Sequence, residues 1–407
     1  MLKKMADKCL GCLKPSCEIA CPLHNRIRDF ILEVKKGDII KAREILDETS
    51  PFPYICSNIC DYNRQCFGNC IRNKMNDPVY VYEIEKEIAK IDIDYKIKPS
   101  NNQKIAIIGS GVGGLSIAKL LRIDGFDVDI YEKENFIGGT VKSGIPSFRL
   151  DPKLLEKMIN EVRDLGVNFI LNQTYPNDFD IKSLKVKGYH KIIFACGAMK
   201  SNKARVINGE YAIDGLKFLY DLNINHHHNN YKKYNKAFIV GGGNVAMDCA
   251  FSLKRIIDDV TIIYRRSISE MPANKDEIED AIKLGIKIVE LKNPKELVIE
   301  NDKLIGFKAE VLKLGEKDQS GRASFSVIEG LEEYYEADIL INAIGQKVDI
   351  SDNELTLTPW GTIDIDDEFK TNINDVYAIG DVTSGPSNVA RVMYDAKRLS
   401  LLLKGEN

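Results

Sequence analysis

Residues 104–114 read KIAIIGSGVGG. The largely β-branched run Ile105 to Ile108 predicts a buried strand, and it stops at Gly109. Gly111 and Gly114 complete a G-x-G-x-x-G spacing, and a helical apolar pattern follows from Leu115 to Leu121. Strand, glycine turn and helix are the context this motif needs to hold a dinucleotide. The first glycine makes the turn, the second lets backbone approach a pyrophosphate, and the third lets helix and strand pack closely. The helix start offers unpaired N–H groups and a positive dipole end to phosphate. The next strand, VDIYE, ends at Glu132, where a carboxylate accepts hydrogen bonds from an adenosine ribose. Gly109, Gly111, Gly113, Gly114 and Glu132 are therefore candidate cofactor contacts. With no ligand, the same pattern is a glycine-rich turn in an α/β core.

The signal returns at 237–250, AFIVGGGNVAMDCA, where Gly241, Gly243 and Ala246 give G-x-G-x-x-A. The helix that follows is predicted to run to about Ile257. The next strand, VTIIY, ends at Tyr264, and Arg265 and Arg266 stand where the ribose-binding acid would be. Arginine at this place accommodates a 2′-phosphate, which NADPH carries and NADH does not. The competing reading is a pair of solvated arginines at a strand end.

Other segments fit around these two units. NFIGGTVKSGIPSFRL, residues 135–150, follows the first unit; Gly138 and Gly139 allow close backbone approach, and Arg149 is a further candidate contact. Asp151 to Leu165 is predicted helical and Val167 to Leu171 a strand. KIIFACGA at 191–198 and DILINAIG at 338–345 are predicted buried strands, the second ending at Gly345. Cys196 has no C-x-x-C partner and no adjacent His, so it reads as a small buried hydrophobe. A hairpin turning at Asn301–Asp302 is predicted over 296–314. Near the C-terminus, strand Val376–Ile379 ends at Gly380–Asp381 and a helix starts near Ser387 or Asn388. Asp381 is placed to bind a ribityl hydroxyl, and the helix start at Val389 to face the pyrimidine end of a flavin. Alone, Gly-Asp at a strand end would be a capping turn; the order of motifs changes that weighting.

Eight of the ten cysteines lie before residue 71. Cys9, Cys12, Cys17 and Cys21 read C-x2-C-x4-C-x3-C-P, and Cys56, Cys60, Cys66 and Cys70 read C-x3-C-x5-C-x3-C. Eight thiolates make two four-cysteine sites. A run closing in C-x3-C-P is similar to those of two-cluster ferredoxins. Zinc competes, since its four-cysteine sites also use C-x2-C pairs, and disulfides are the remaining alternative. Between the groups, residues 25–48 carry two short helical patterns broken at Gly37, and Tyr82 to Ile91 is a third. The linker KIKPSNNQ marks a domain boundary.

The totals agree with these readings. At 407 residues, the chain accommodates two or three domains, and 44% apolar with 29% charged residues is the composition of a soluble globular protein. A net charge of −3 gives no general attraction to nucleic acid or anionic membrane. No apolar run approaches a membrane span, and MLKKMADKC has no signal-peptide core, so a cytoplasmic, reducing compartment is expected. His226, His227 and His228 lie in a polar run that reads as a solvated loop.

Taken in order, GSGVGG, ACGA, GGGNVA, NAIG and AIGD describe two dinucleotide folds, the second nested in the first. From Cys9 to about Leu403 the chain resembles the small subunit of NADPH-dependent glutamate synthase and its relatives. These include the N-terminal half of dihydropyrimidine dehydrogenase and the large subunit of NADH-dependent ferredoxin:NADP oxidoreductase. Both cysteine groups, GIPSFRL at 144–150, YRRSISEMPA at 264–273 and GPSNV at 385–389 carry the resemblance most specifically.

The resemblance implies an α/β fold: two nested Rossmann-like domains, for FAD and NADPH, after an N-terminal helical iron–sulfur domain. The boundaries expected are 1–98 for two [4Fe–4S] clusters, 99–205 with 335–407 for FAD, and 206–334 for NADPH. It implies cluster ligation by Cys9, Cys12, Cys66 and Cys70, and by Cys17, Cys21, Cys56 and Cys60. It places Gly111, Glu132, Gly139 and Asp381 on FAD, and Gly243, Asn244, Val245, Arg265 and Arg266 on NADPH. Two departures stand out: no N-terminal extension precedes the first cysteine group, and Cys196 stands where the family usually has Thr. Hydride transfer needs no side-chain acid or base, so no catalytic residue is expected. The implied acceptor is a large FMN-containing subunit or ferredoxin. A ferredoxin:NADP oxidoreductase subunit, alone or in a flavin-bifurcating assembly, and a non-catalytic redox sensor are the rival readings.

Overall fold

A computed structural model describes residues 1–202, 206–317, 322–350 and 352–405. The chain forms two compact units. The first comprises Met1–Lys142, Ser147–Ala198 and Val348–Asn407, and the second Ser143–Pro146 and Met199–Lys347. The boundary expected at residue 205 lies outside the described residues.

The cysteine region is helical. Ile27–Lys36 buries Ile27, Phe30, Ile31 and Val34 on one face and ends at Gly37, whose φ of 90° closes the helix in the left-handed region. Asp38 caps the next helix, Ile39–Asp47, by accepting from Lys41 N at 2.9 Å. Helix Val81–Ile88 buries Val81, Ile84 and Ile88. A further helix, Pro53–Ile59, was not expected; its residues 53–57 are buried on every side, which hides any helical period.

The rest of the first unit is built on a five-stranded sheet. Its order is Val376–Ala378, Lys191–Phe194, Lys104–Ile108, Asp127–Tyr131 and Asn168–Ile170, all parallel. Four strands precede Met199–Lys347 in the chain and one follows it, so this insertion interrupts the sequence of the sheet but not its ladder. Helix Val112–Ile123 crosses from the first strand to the second, and helix Val389–Lys404 packs against it.

The second unit repeats the plan. Its parallel strands run Ile213–Asp214, Ile339–Asn342, Lys236–Val240, Asp259–Tyr264 and Lys287–Glu290. The predicted hairpin is there, longer than expected, as Lys292–Glu300 and Lys303–Lys317. Asn301 and Asp302 have φ of 48° and 58°, the pair of left-handed residues that a type I′ turn requires. A third strand, Ala323–Glu336, extends the hairpin to a ribbon. Leu297, Leu304, Phe307 and Ala309 seat the ribbon on Phe238, Val240 and Leu340 of the parallel sheet. Where the chain enters and leaves this unit, Lys200–Ser201 and Gln346–Lys347 pair antiparallel. Among the described residues no helix is long and apolar enough to cross a membrane.

Candidate functional site

In the first unit the expected cofactor residues converge at the C-terminal ends of three adjacent strands. Gly109 has φ of 107°, and a Cβ there would lie 2.6 Å from Ala195 O, so only glycine lets the two strand ends approach. A Cβ on Gly114 would lie 2.0 Å from Gly109 O, which is the helix–strand packing role. A Cβ on Gly111 would meet nothing within 4 Å. Gly111 therefore faces open space at the start of helix Val112–Ile123, where an anion meets the helix N–H groups. Gly139 closes over the same turn, its would-be Cβ 2.9 Å from Gly111 Cα. A Cβ on Gly113 or Gly380 would lie 2.8 or 3.0 Å from Val392 Cγ1, so both glycines let the C-terminal helix seat against the turn.

Glu132 is buried and does two jobs the sequence does not reveal. Oε2 accepts from Ser110 N at 2.9 Å and Ser110 Oγ at 2.6 Å, and Oε1 accepts from Glu134 N at 2.9 Å. The carboxylate thereby braces the middle of the glycine turn. Its roughly four lone-pair directions leave capacity for a ribose hydroxyl. Asp381 Oδ1 accepts from Ser387 N at 3.0 Å and Ser387 Oγ at 2.6 Å. Burial raises the Asp381 pKa and these bonds oppose the rise. Asn388 caps the C-terminal helix by accepting from Arg391 N at 3.0 Å, and Val389 is its first residue. Arg149 is half-buried in the first unit. Cys196 is half-buried and its pKa is pushed up to about 12 by burial, which is not the state of a reactive thiolate.

The second unit holds the other constellation. Gly241, at φ of 138°, would put a Cβ 2.3 Å from Ala343 O, while Gly243 caps helix Asn244–Lys254, and a Cβ there would meet only Pro272 Cγ, at 3.9 Å. Asn244 is exposed and Val245 half-buried at this helix start. Tyr264 packs on Gly242, whose would-be Cβ lies 2.7 Å from the ring. Gly345 has φ of 103° beside Asn202. The two arginines part company. Arg265 is exposed, whereas Arg266 is buried and its Nε donates to Ala323 O at 2.7 Å.

The cysteines fall into two sets in space, and these sets differ from the interleaving expected above. One cavity is lined by Cys9, Cys12, Cys17 and Cys70. Burial, then repulsion from Cys70, pushes the Cys17 pKa up to about 12. Cys17 therefore takes the place expected for Cys66. Helix Ser16–Ile19 accounts for this: it carries Cys17, and Cys21 lies beyond its end, turned to a different set. Cys21, Cys60 and Cys66 influence one another, with Cys56 hydrogen-bonded to Cys60. Glu85 stands among this second set. It is buried, its Oε1 has no hydrogen-bond partner, and burial raises its pKa to about 8. Sequence reasoning missed Glu85, although a carboxylate four residues from both Val81 and Ala89 on the apolar face of a helix is itself a signal. Buried thiols and an orphaned carboxylate oxygen fit a soft, multivalent metal group. Among the described residues no three His, Cys, Asp or Glu side chains are arranged to hold a single ion.

Two glycine-turn sites at the strand ends of two parallel sheets define a dinucleotide-dependent oxidoreductase class. The chain belongs to the pyridine nucleotide-disulphide oxidoreductase family, which matches residues 103–396. Residues 1–97 match dihydropyrimidine dehydrogenase domain II, 4Fe-4S cluster. The glutamate synthase [NADPH] small chain of Azospirillum brasilense is 29% identical over 419 residues, covering 97% of this chain and 86% of that protein. The NADP(+)-dependent formate dehydrogenase subunit beta of Moorella thermoacetica is 31% identical over 420 residues, and there this chain spans only 59% of the relative's length. The structure of Mycobacterium tuberculosis FprA in complex with NADPH superposes with a TM-score of 0.64 at 20% identity, over 76% of this chain and 85% of that one, a likeness of fold. The resemblance to glutamate synthase small chains thus runs along nearly the whole sequence. The protein is an NADPH-dependent flavin oxidoreductase with an iron–sulfur domain.

Proposed function

We propose that the protein takes electrons from NADPH and delivers them, through FAD and two [4Fe–4S] clusters, to a partner subunit. When bound, the flavin accepts hydride from the nicotinamide and the clusters carry electrons singly. Gly109, Gly111, Gly113, Gly114, Glu132, Gly139, Arg149, Gly380, Asp381 and Val389 would hold FAD. Gly241, Gly243, Asn244, Val245, Arg265, Arg266 and Gly345 would hold NADPH. Cys9, Cys12, Cys17 and Cys70 would hold one cluster. Cys21, Cys60 and Cys66 would hold the other, with Cys56 or Glu85 as its fourth ligand. In this reading residues 1–98 form the cluster domain, 99–205 with 335–407 the FAD domain, and 206–334 the NADPH domain. The chain's own work is positioning, so no side chain is assigned acid or base chemistry.

One observation supports the route from flavin to clusters. Cys56 Sγ lies 3.6 Å from Met393 Sδ, on the helix whose first residue, Val389, is assigned to the flavin. The second cysteine set therefore adjoins the element that borders the flavin site. The partner is taken to be an FMN-containing subunit like that of glutamate synthase, with ferredoxin as the other acceptor. The relatives' printed names, small chain and subunit beta, support a partnered protein.

The test is anaerobic purification with iron, sulfide, zinc and flavin measured on one sample. About eight iron, eight sulfide and one FAD per chain are expected for two cubane clusters and a flavin. About four iron would remove one cluster, and zinc in place of iron would overturn the exit path. NADPH-dependent reduction of a dye by the same sample separates an enzyme from a redox sensor.

A further inference from the structure

The outer ribbon strand, Ala323–Glu336, begins against the segment that follows strand Asp259–Tyr264. Both polar groups of the Ala323 backbone are engaged there: its O accepts from Arg266 Nε at 2.7 Å and its N donates to Glu270 Oε1 at 3.0 Å. Two residues on, the Phe325 ring lies 5.0 Å from the Arg265 guanidinium and 5.2 Å from that of Arg266. A guanidinium held over an aromatic face gains cation–π attraction and loses rotational freedom, so its planar fork is pre-set for bidentate contact. Arg265 has no ion pair and no hydrogen bond among the described residues. Arg322 directly precedes Ala323, which is bonded to Arg266 and Glu270, and partial desolvation, then the charges of Arg266 and Arg322, lower the Arg265 pKa. Glu270 also lies here: its Oε1 accepts from Ala323 N, and its Oε2 is buried without a hydrogen-bond partner among the described residues. Like charges gathered around an unpaired guanidinium suit a ligand carrying two negative charges on one group.

We propose that the ribbon completes the 2′-phosphate site: Phe325 is a positioning residue for Arg265, and Arg322 supplies a further cation. This rests on reading Arg265 as a 2′-phosphate contact. The preference for NADPH over NADH is then set jointly by the strand end after Tyr264 and by the returning strand of the ribbon. It also gives a reason for the ribbon's third strand to meet the nucleotide fold at this point.

The experiment is calorimetric titration of the holoprotein with 2′,5′-ADP and with 5′-ADP, on wild type, Arg265→Ala, Phe325→Leu, Phe325→Tyr and Arg322→Gln. Phe325→Leu keeps apolar bulk but loses the π face. It is expected to weaken 2′,5′-ADP about threefold to tenfold, leave 5′-ADP unchanged, and be rescued by Phe325→Tyr. Arg322→Gln is expected to weaken 2′,5′-ADP by a similar factor and to flatten its salt dependence. If Phe325→Leu and Arg322→Gln leave 2′,5′-ADP binding intact while Arg265→Ala weakens it, the ribbon has no part in the site and the inference fails alone. If Arg265→Ala also leaves it intact, the 2′-phosphate reading itself fails. Equal weakening of both ligands by the ribbon variants would mark a structural loss and overturn the proposal.

Discussion

Gly111 and Gly114 share one motif and differ in what an added methyl would strike. At Gly111 it meets open space, and φ of −69° is one that alanine adopts. At Gly114 it meets a carbonyl oxygen at 2.0 Å, against which the backbone cannot yield cheaply. Gly111→Ala should therefore fold with near-normal thermal stability and purify with much reduced FAD. Gly114→Ala should lose about 1–3 kcal/mol even when stripped of flavin, as overpacked cores do. Melting curves of flavin-free protein, read beside FAD absorbance, check both, and a stable flavin-loaded Gly111→Ala would remove the pyrophosphate role. The cysteine sets make a second contrast. Cys17→Ser and Cys70→Ser should each lose the same half of the iron, and the double variant no more than either alone. Cys21→Ser with Cys66→Ser should behave likewise for the other half. Iron quantification in which Cys66→Ser pairs with Cys70→Ser instead would restore the interleaved arrangement.

Lys119 joins the cysteine helices to the flavin fold. It is buried on helix Val112–Ile123, donates to Pro51 O at 2.7 Å and Tyr95 OH at 2.8 Å, and pairs with Glu161 at 3.0 Å. Tyr95 in turn donates to Asp47, which pairs with the buried Arg43. The network ties a helix of the cysteine region, the linker and two helices of the dinucleotide fold. Lys119→Met removes three interactions and strands their partners. Glu161 keeps a fifth of its side chain exposed, so the expected loss is about 2–3 kcal/mol, below the roughly 3–5 of a fully buried broken pair. A shift in denaturant midpoint measures it, and an unshifted midpoint would show the network is not a stabilising joint. Elements with their own stop signals were legible in the sequence. Strands ending at glycine, Asp151 before Pro152 and Asn388 before the last helix mark boundaries that local chemistry dictates. Elements defined by their surroundings were not. Helix Pro53–Ile59 is buried all round, and the outer ribbon strand is exposed on both faces over much of its length, so neither shows a period. The cysteine partition was hidden for the same reason, because spacing along the chain does not say which way Cys17 and Cys21 turn.

At the scale of the molecule, the proposed path requires electrons that reach the clusters to leave through a surface. The cavity lined by Cys9, Cys12, Cys17 and Cys70 has Leu10, Lys14, Ile71 and Arg72 at its rim. Leu13 is 92% exposed, Leu10 is exposed just before it, and Ile71 and Met75 are exposed in the segment that follows Cys70. Lys14 and Lys74 are exposed, and Asp77 is held between Lys8 and Arg72. A centre of apolar residues with basic neighbours fits a protein acceptor with an acidic face around its own redox group. Leu13→Glu and Lys14→Glu should each slow reduction of such an acceptor about fivefold to tenfold, and the wild-type rate should fall as salt rises. NADPH-driven reduction of a small dye should be unchanged in both, because a dye needs no docking surface. Stopped-flow traces with an acidic ferredoxin and with ferricyanide separate the cases. Slowing of both acceptors alike would place the defect inside the electron path, and slowing of neither would move the exit to another face.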